Sequence, residues 1–288
     1  MKSRNKGILY IVLSAFFFAL MSTFVRMSGD IPSIQKSFFR NLVAFFFAWI
    51  ILRKDHQGFS GKKENLKYLV LRSLFGTVGI LCNFYAVDHL VLADASMLNK
   101  MSPFFAVIFS YFLLKEKVKP AQALAVLGAF VGSLFIIKPT IIGMELGYAL
   151  IGLMGGMGAG IAYTFVRFLG QRGEKGPFIV LFFSGFSCLV TLPYLIFHFT
   201  PMDAAQVGFL LLAGLSAAGG QFSITAAYCH APAREISVYD YSQIIFSAGL
   251  GFLLFGQIPD RYSVFGYVII CSMAVFMYIY NNRQLSRE

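Results

Sequence analysis

Apolar residues run along this chain in blocks of about twenty, separated by short stretches where lysine, arginine, glycine and proline collect. A helix of about 20 residues covers a hydrocarbon core of roughly 30 Å, so each block is long enough to cross a bilayer. The pattern predicts ten spans, at roughly 7–28, 34–53, 65–87, 92–114, 119–137, 145–168, 177–198, 205–229, 234–255 and 262–280. Breakers mark the ends. Gly29-Asp30-Ile31-Pro32 divides the first two spans, Lys119-Pro120 opens the fifth, Lys138-Pro139 closes it, and Gly173 to Pro177 separates the sixth from the seventh. The expected fold class is all-α and integral to the membrane.

A few polar positions interrupt the apolar blocks. In the run from Arg234 to Phe255 stands Ser237-Val238-Tyr239-Asp240-Tyr241-Ser242-Gln243. A carboxylate at membrane depth is costly and faces a bundle interior or a wet cavity. Helical spacing puts Ser237, Asp240, Gln243 and Ser247 on one stripe. The fourth span carries its own polar set, Ser96, Asn99, Lys100 and Pro103. Lys100 lies roughly 12 Å below the outer end of its span, and Asp240 roughly 10 Å above the inner end of its own. That leaves about 8 Å of height between them in a core of roughly 30 Å, a gap a lysine side chain nearly spans. The two are expected to pair if their helices adjoin, and to hold both charges in one substrate cavity. For Ser96, Ser237 and Ser247, hydrogen bonding between helices is the favoured role.

Tyr239, Tyr241, Tyr85 and Tyr163 offer aromatic faces to an organic cation or a ring, although Tyr239 and Tyr241 cannot both share the face of Asp240. Asn99, Gln243, Asn83 and Gln221 complete the candidate substrate-binding set, with spans three, four, eight and nine expected to line the cavity. Arg40 and Arg72 fall near span ends, from which long side chains snorkel to the interface; lining the path is the lesser reading for both.

Charge then sets orientation. The 24 lysines and arginines outnumber 13 acidic residues. They lie between apolar runs rather than in one patch, which argues against a nucleic-acid partner. With the N-terminus inside, Lys2, Arg4, Lys62, Lys63, Arg172, Lys175 and Arg234 share the cytoplasmic side, whereas the outer side keeps Arg26, Lys36, Lys138 and Arg261. Such a bias places both termini in the cytoplasm and the chain in the cytoplasmic membrane as a multi-pass protein. The basic start resembles that of a signal peptide, but the apolar run reaches Val25 without a small-residue cleavage site, so it reads as an uncleaved span. Composition agrees: 58% of residues are hydrophobic and 13% charged, against roughly a quarter charged in soluble domains. The four cysteines lie within apolar runs at no paired spacing and read as packing residues.

The chain also repeats itself. Thr23-Phe24-Val25-Arg26 returns as Thr164-Phe165-Val166-Arg167, and at the same offset Gly79 meets Gly220, Ser96 meets Ser237 and Leu113 meets Leu254. A unit of five spans is odd, so the second copy is inserted upside down. The expected organisation is residues 1–140 as one five-helix repeat and 141–288 as its inverted partner, a construction of secondary transporters with the substrate near the midplane. The run Gly155-Gly156-Met157-Gly158-Ala159-Gly160 lacks the Gly-Lys-Ser/Thr ending of a phosphate loop and lies mid-span, so close helix packing is the better account. No metal-spaced histidine pair, nucleophile elbow or nucleotide loop is visible, so neither an enzyme nor a cofactor is expected.

Ten spans in a five-plus-five inverted repeat with short loops resemble the drug/metabolite transporter superfamily, in its EamA-domain branch. The carrying segments are Leu92-Ala93-Asp94-Ala95-Ser96, Pro103-Phe104-Phe105 and Leu113-Leu114-Lys115-Glu116-Lys117, echoed by Ile236-Ser237-Val238 and Phe255-Gly256-Gln257-Ile258-Pro259-Asp260. The second copy departs from the pattern in carrying Gln257 where a glutamate is usual and no proline at Ile244. Glu116 reads as a structural residue at a loop end. The resemblance implies a carrier of a small polar or amphipathic organic metabolite, with protons or a counter-substrate as coupling partners. Two rivals stand beside it: an intramembrane enzyme, which needs a reactive cluster, and a channel, which would show no saturable counterflow.

Overall fold

The structure, a computed structural model, describes residues 2–54, 61–89, 98–137, 146–256 and 261–285. Ser96, Lys138-Pro139 and Gln257 lie outside the described residues. The described elements are helical: α1 Lys2–Met27, α2 Ser33–Lys54, α3 Leu66–His89, α4 Ser102–Leu114, α5 Pro120–Ile137, α6 Leu146–Gln171, α7 Gly176–His198, α8 Ala204–His230, α9 Ala233–Phe255 and α10 Arg261–Leu285. Eight are long and apolar enough to cross a membrane; α4 and α5 are shorter apolar helices. The ends fall within a few residues of those predicted, except that α1 begins at Lys2, α10 runs on to Leu285 and α4 begins at Ser102.

The bundle is apolar outside, and its hydrophobic core also takes in polar residues. Leu189, Phe197 and Leu253 are more than two-thirds exposed, whereas Ser14, Gln35, Asn41 and Ser184 are buried. Helices in lipid associate through close backbone approach and interhelical hydrogen bonds rather than through burial of apolar faces. Both devices are present. A Cβ on Gly79 would meet the backbone nitrogen of Ala159 at 3.0 Å, and one on Gly155 would meet that of Asn83 at 2.9 Å, so α3 and α6 cross backbone to backbone. Thr77 on α3 and Ser187 on α7 share a hydrogen bond of 2.6 Å. The glycine run of α6 is thus mid-helix packing surface. The four cysteines are free thiols.

Helix packing follows a simple plan. α1 lies on α8 and α3 on α6; α1 also touches α9, and α4 touches α6; α2 pairs with α7, and α5 with α10. Polar contacts gather at the end that holds the N-terminus. There Ser3 bonds to the His230 carbonyl at 3.0 Å, and Glu174 accepts from the Lys62 backbone and the Asn65 amide at 2.9 and 2.8 Å. At the opposite end Gln35 exchanges two hydrogen bonds with the Thr200 backbone, at 2.9 and 3.0 Å. Orientation in the membrane is open to a direct check. On a cysteine-free background, Asp30→Cys in intact cells is expected to react with an impermeant maleimide and Lys62→Cys to stay unlabelled; the opposite pattern would invert the topology.

Candidate functional site

The site forms where two helices are interrupted. α9 opens with one α-helical turn, Ala233–Ile236, passes through a 3₁₀ stretch at Ser237–Tyr241 and resumes as an α-helix at Ser242. With 3.0 residues per turn, a 3₁₀ stretch eclipses side chains three apart, which brings Ser237 and Asp240 into line ahead of Gln243. The interruption before α4 has a visible cause. Pro103 has no N–H to offer the carbonyl four residues back, and the Phe104 N–H turns to Met101 O at 3.1 Å. The Lys100 carbonyl is thereby released from the helix. Tyr241, fully buried, fills it by donating its hydroxyl at 3.0 Å.

The Lys100 side chain returns the contact. Its ammonium donates to Gln243 Oε1 at 2.8 Å and lies 3.3 Å from Asp240 Oδ2. Lys100 and Asp240 are 8% and 7% exposed. The two interruptions are therefore tied by three hydrogen bonds, one from Tyr241 and two to charged or amide oxygens of α9. A buried pair is stable only when its remaining hydrogen-bonding capacity is met, and Gln243 supplies that second acceptor.

Around this pair the structure gathers some of the expected residues and leaves others apart. Tyr163 stacks on Tyr228, with ring centroids 5.0 Å apart and planes at 13°. Asp240, Arg40 and Arg72 are all within electrostatic reach of Tyr163. Asn99 and Asn83 are half-buried, the latter with its backbone against Gly155. Gln221 is buried and turns its amide to Thr225 of its own helix at 3.5 Å. Tyr239 is 8% exposed, with Arg4 and Tyr278 within its electrostatic reach. Tyr85 lies at the far end of α3, stacked on His89 with centroids 4.1 Å apart. Ser237 is buried, whereas Ser247 is exposed.

Arg72 corrects an expectation. It does not snorkel: it is 2% exposed, with its guanidinium 3.6 Å above the Phe183 ring and in the space that Gly76 leaves by having no Cβ. The sequence signal was there in an arginine six residues inside an apolar span, four before a glycine. Tyr228, also missed, carries no signal beyond its place near the end of α8.

At the end that holds the N-terminus, Glu116 sits just beyond α4 and accepts from Arg167 Nε at 3.3 Å. Arg167 also donates to the Cys229 carbonyl at 3.2 Å, in the last turn of α8, where a cation suits the helix dipole. Glu116 Oε2 is buried without a hydrogen-bond partner among the described residues. Burial pushes the Glu116 carboxyl above its usual range, with Arg167 opposing. A carboxyl raised in the folded state holds its proton more tightly there than in the unfolded chain. It therefore adds stability below the folded value and loses it as pH rises through that value. Glu116→Gln is expected to leave the melting temperature at neutral pH at or above that of the parent, and to flatten its fall above the ordinary glutamate pKa. A lower melting temperature at neutral pH would mean that the ion pair outweighs the burial.

The profile of the EamA-like transporter family matches residues 5–138. The pseudopaline exporter CntI of Pseudomonas aeruginosa (strain UCBPP-PA14) is 32% identical over 268 residues, covering 92% of this chain and 93% of that protein. Human solute carrier family 35 member G1 is 26% identical, over 93% of this chain and 78% of its own length. The S-adenosylmethionine uptake transporter of Rickettsia prowazekii is 22% identical, over 100% and 97%. A solved crystal structure superposes with a TM-score of 0.86 at 13% identity, covering 98% of this chain and 99% of that one, a likeness of fold.

Proposed function

This chain belongs to the EamA-like transporter family, and from that premise we propose that it is a secondary carrier of a small polar or amphipathic organic solute in the cytoplasmic membrane. It works by alternating access of two inverted five-helix repeats, with both termini in the cytoplasm and protons or a counter-substrate as the coupling partner. The observation that carries this reading is the Lys100–Asp240–Gln243 contact at the junction of two interrupted helices. Interrupted helices that expose backbone and charge near the midplane are the usual seat of a carrier's substrate.

Several features support the repeat. A shift of 141 residues turns the α1–α8 contact into that of α6 with α3, and the α1–α9 contact into that of α6 with α4. The same shift relates the left-handed residues that end α4 and α9, Lys115 at φ 56° and Gly256 at φ 62°. It also carries Lys100 onto Tyr241, the two residues that meet through the Tyr241 hydroxyl. The polar ties at the N-terminal end join one half to the other: Ser3 to His230, Lys62 and Asn65 to Glu174, and Glu116 to Arg167. We read this arrangement as a carrier closed on the cytoplasmic side, with these contacts as the inner gate. An exporter and an uptake transporter both stand among the relatives. If the gate reading holds, Arg167→Ala shifts the resting carrier toward inward opening. Cysteine placed at Thr164, one turn inside the gate, should then react several-fold faster with a cytoplasmic reagent; an unchanged rate would remove Glu116–Arg167 from the gate.

A further inference from the structure

Arg72 is 2% exposed, yet its Nε and Nη1 are buried with no hydrogen-bond partner among the described residues. The guanidinium lies 3.6 Å from the centre of the Phe183 ring, whose face satisfies charge in part but takes no N–H bond in the ring plane. Arg40 lies within electrostatic reach of it and is half-buried, its guanidinium 6.0 Å from the Phe18 ring centroid. Lys100 has a partner in Asp240. Arg40, Arg72 and Asp240 all lie within electrostatic reach of Tyr163, and the carboxylate among them is already paired with Lys100, so neither arginine has an ion pair among the described residues. Uncompensated charge at membrane depth is expensive, and a guanidinium with free N–H groups is built to take an oxyanion in a forked contact.

We propose that Arg40 and Arg72 form an oxyanion subsite beside the Lys100–Asp240 pair, so that the cargo carries a carboxylate or phosphate group. This rests on the carrier reading for its meaning as a substrate site, but not for the binding itself. Arg72 supplies the buried prong and Arg40 the accessible one. Tyr163 lies within electrostatic reach of both arginines and of Asp240, so a cargo anchored at the arginines reaches the paired charges with its other polar groups. The oxyanion offsets the two positive charges in part or in full when it binds, and the empty site carries the stored repulsion of two arginines.

The test is thermal melting of the purified full chain in neutral detergent, which requires no transport. Citrate and inorganic phosphate serve as probes against sodium chloride at matched ionic strength, with phosphatidylglycerol added in a separate arm. The expected results are a melting temperature raised by several degrees by citrate or phosphate beyond chloride, and loss of that rise in Arg72→Met. Without anion, Arg72→Met is expected to melt higher than the parent, because an unpaired buried charge has been removed. Arg40→Gln gives a second variant at a half-buried position, expected to weaken the citrate or phosphate response several-fold. A lower anion-free melting temperature in Arg72→Met would show that the guanidinium is satisfied where it is and would overturn the subsite. So would an anion response that survives both substitutions, or a parent that responds to citrate and phosphate no more than to chloride. Stabilisation by phosphatidylglycerol alone would assign the arginines to a lipid headgroup and reject a soluble cargo. Failure of counterflow with the anion response intact would reject the carrier reading and leave the subsite standing.

Discussion

Asp240→Asn should melt lower than the parent, and the double change Asp240→Asn with Lys100→Met should recover most of the loss. Removing one partner of a buried pair costs about 3–5 kcal/mol. Gln243 still accepts from the stranded ammonium at 2.8 Å, so the lower end, about 3 kcal/mol, is expected. At roughly 2–4 °C per kcal/mol for a chain of this order of size, the shift is easily read. The Met side chain fills the space of the lysine stem without a charge to satisfy, and the Lys100 carbonyl keeps its bond from Tyr241 at 3.0 Å. Recovery in the double variant therefore isolates the pair. Equal losses in single and double variants would mean that Asp240 is held by something other than Lys100.

The second large effect belongs to α6. A Cβ on Gly156 would stand 2.5 Å from the Leu98 carbonyl oxygen, closer than side-chain carbons approach backbone, so Gly156→Ala forces the segment before α4 to move. Overpacking of this kind costs about 1–3 kcal/mol. Its functional cost should be larger than that figure suggests, because Lys100 is two residues beyond Leu98 and a displacement there separates the ammonium from Asp240. Transport should fall at least tenfold. Gly249→Ala is the matched control: nothing lies within 4 Å of a Cβ at that position of α9, and alanine favours helix by about 1 kcal/mol. It should melt at or slightly above the parent temperature with transport intact. Equal behaviour of the two variants would remove the α4–α6 crossing from the positioning of Lys100.

Much of this was legible in the sequence, and the parts that were not share a cause. Span ends were readable because apolar length and breakers such as Gly29 and Pro120 are local properties. The meeting of Lys100 and Asp240 was readable from height alone, since two helices of known rise in a slab of known thickness leave little freedom in depth. Rotation about each helix was not readable. Nothing local tells that Tyr241 turns to the Lys100 carbonyl, or that Tyr85 stacks on His89 at the end of α3. The 3₁₀ stretch at Ser237–Tyr241 was equally hidden. The matching interruption before α4 has Pro103 to announce it, whereas α9 has no proline at Ile244, and its local winding is set by contacts with α1, α4, α5 and α10. Arg72 was misread for the same reason. Its depth allowed either the interface or the interior, and the choice was made by Phe183 and by the space at Gly76.

The most direct measurement of the central claim is metabolite counterflow in proteoliposomes. Vesicles are loaded with unlabelled cell extract and placed in uniformly ¹³C-labelled extract, and mass spectrometry identifies which solute enters. A carrier with Lys100 and Asp240 at its substrate site predicts saturable entry of a small set of polar solutes by the parent protein. It predicts entry at the level of empty vesicles for both Asp240→Asn and the stability-restored double variant with Lys100→Met. Parent-level counterflow by Asp240→Asn, with the protein folded and correctly inserted, would contradict the claim.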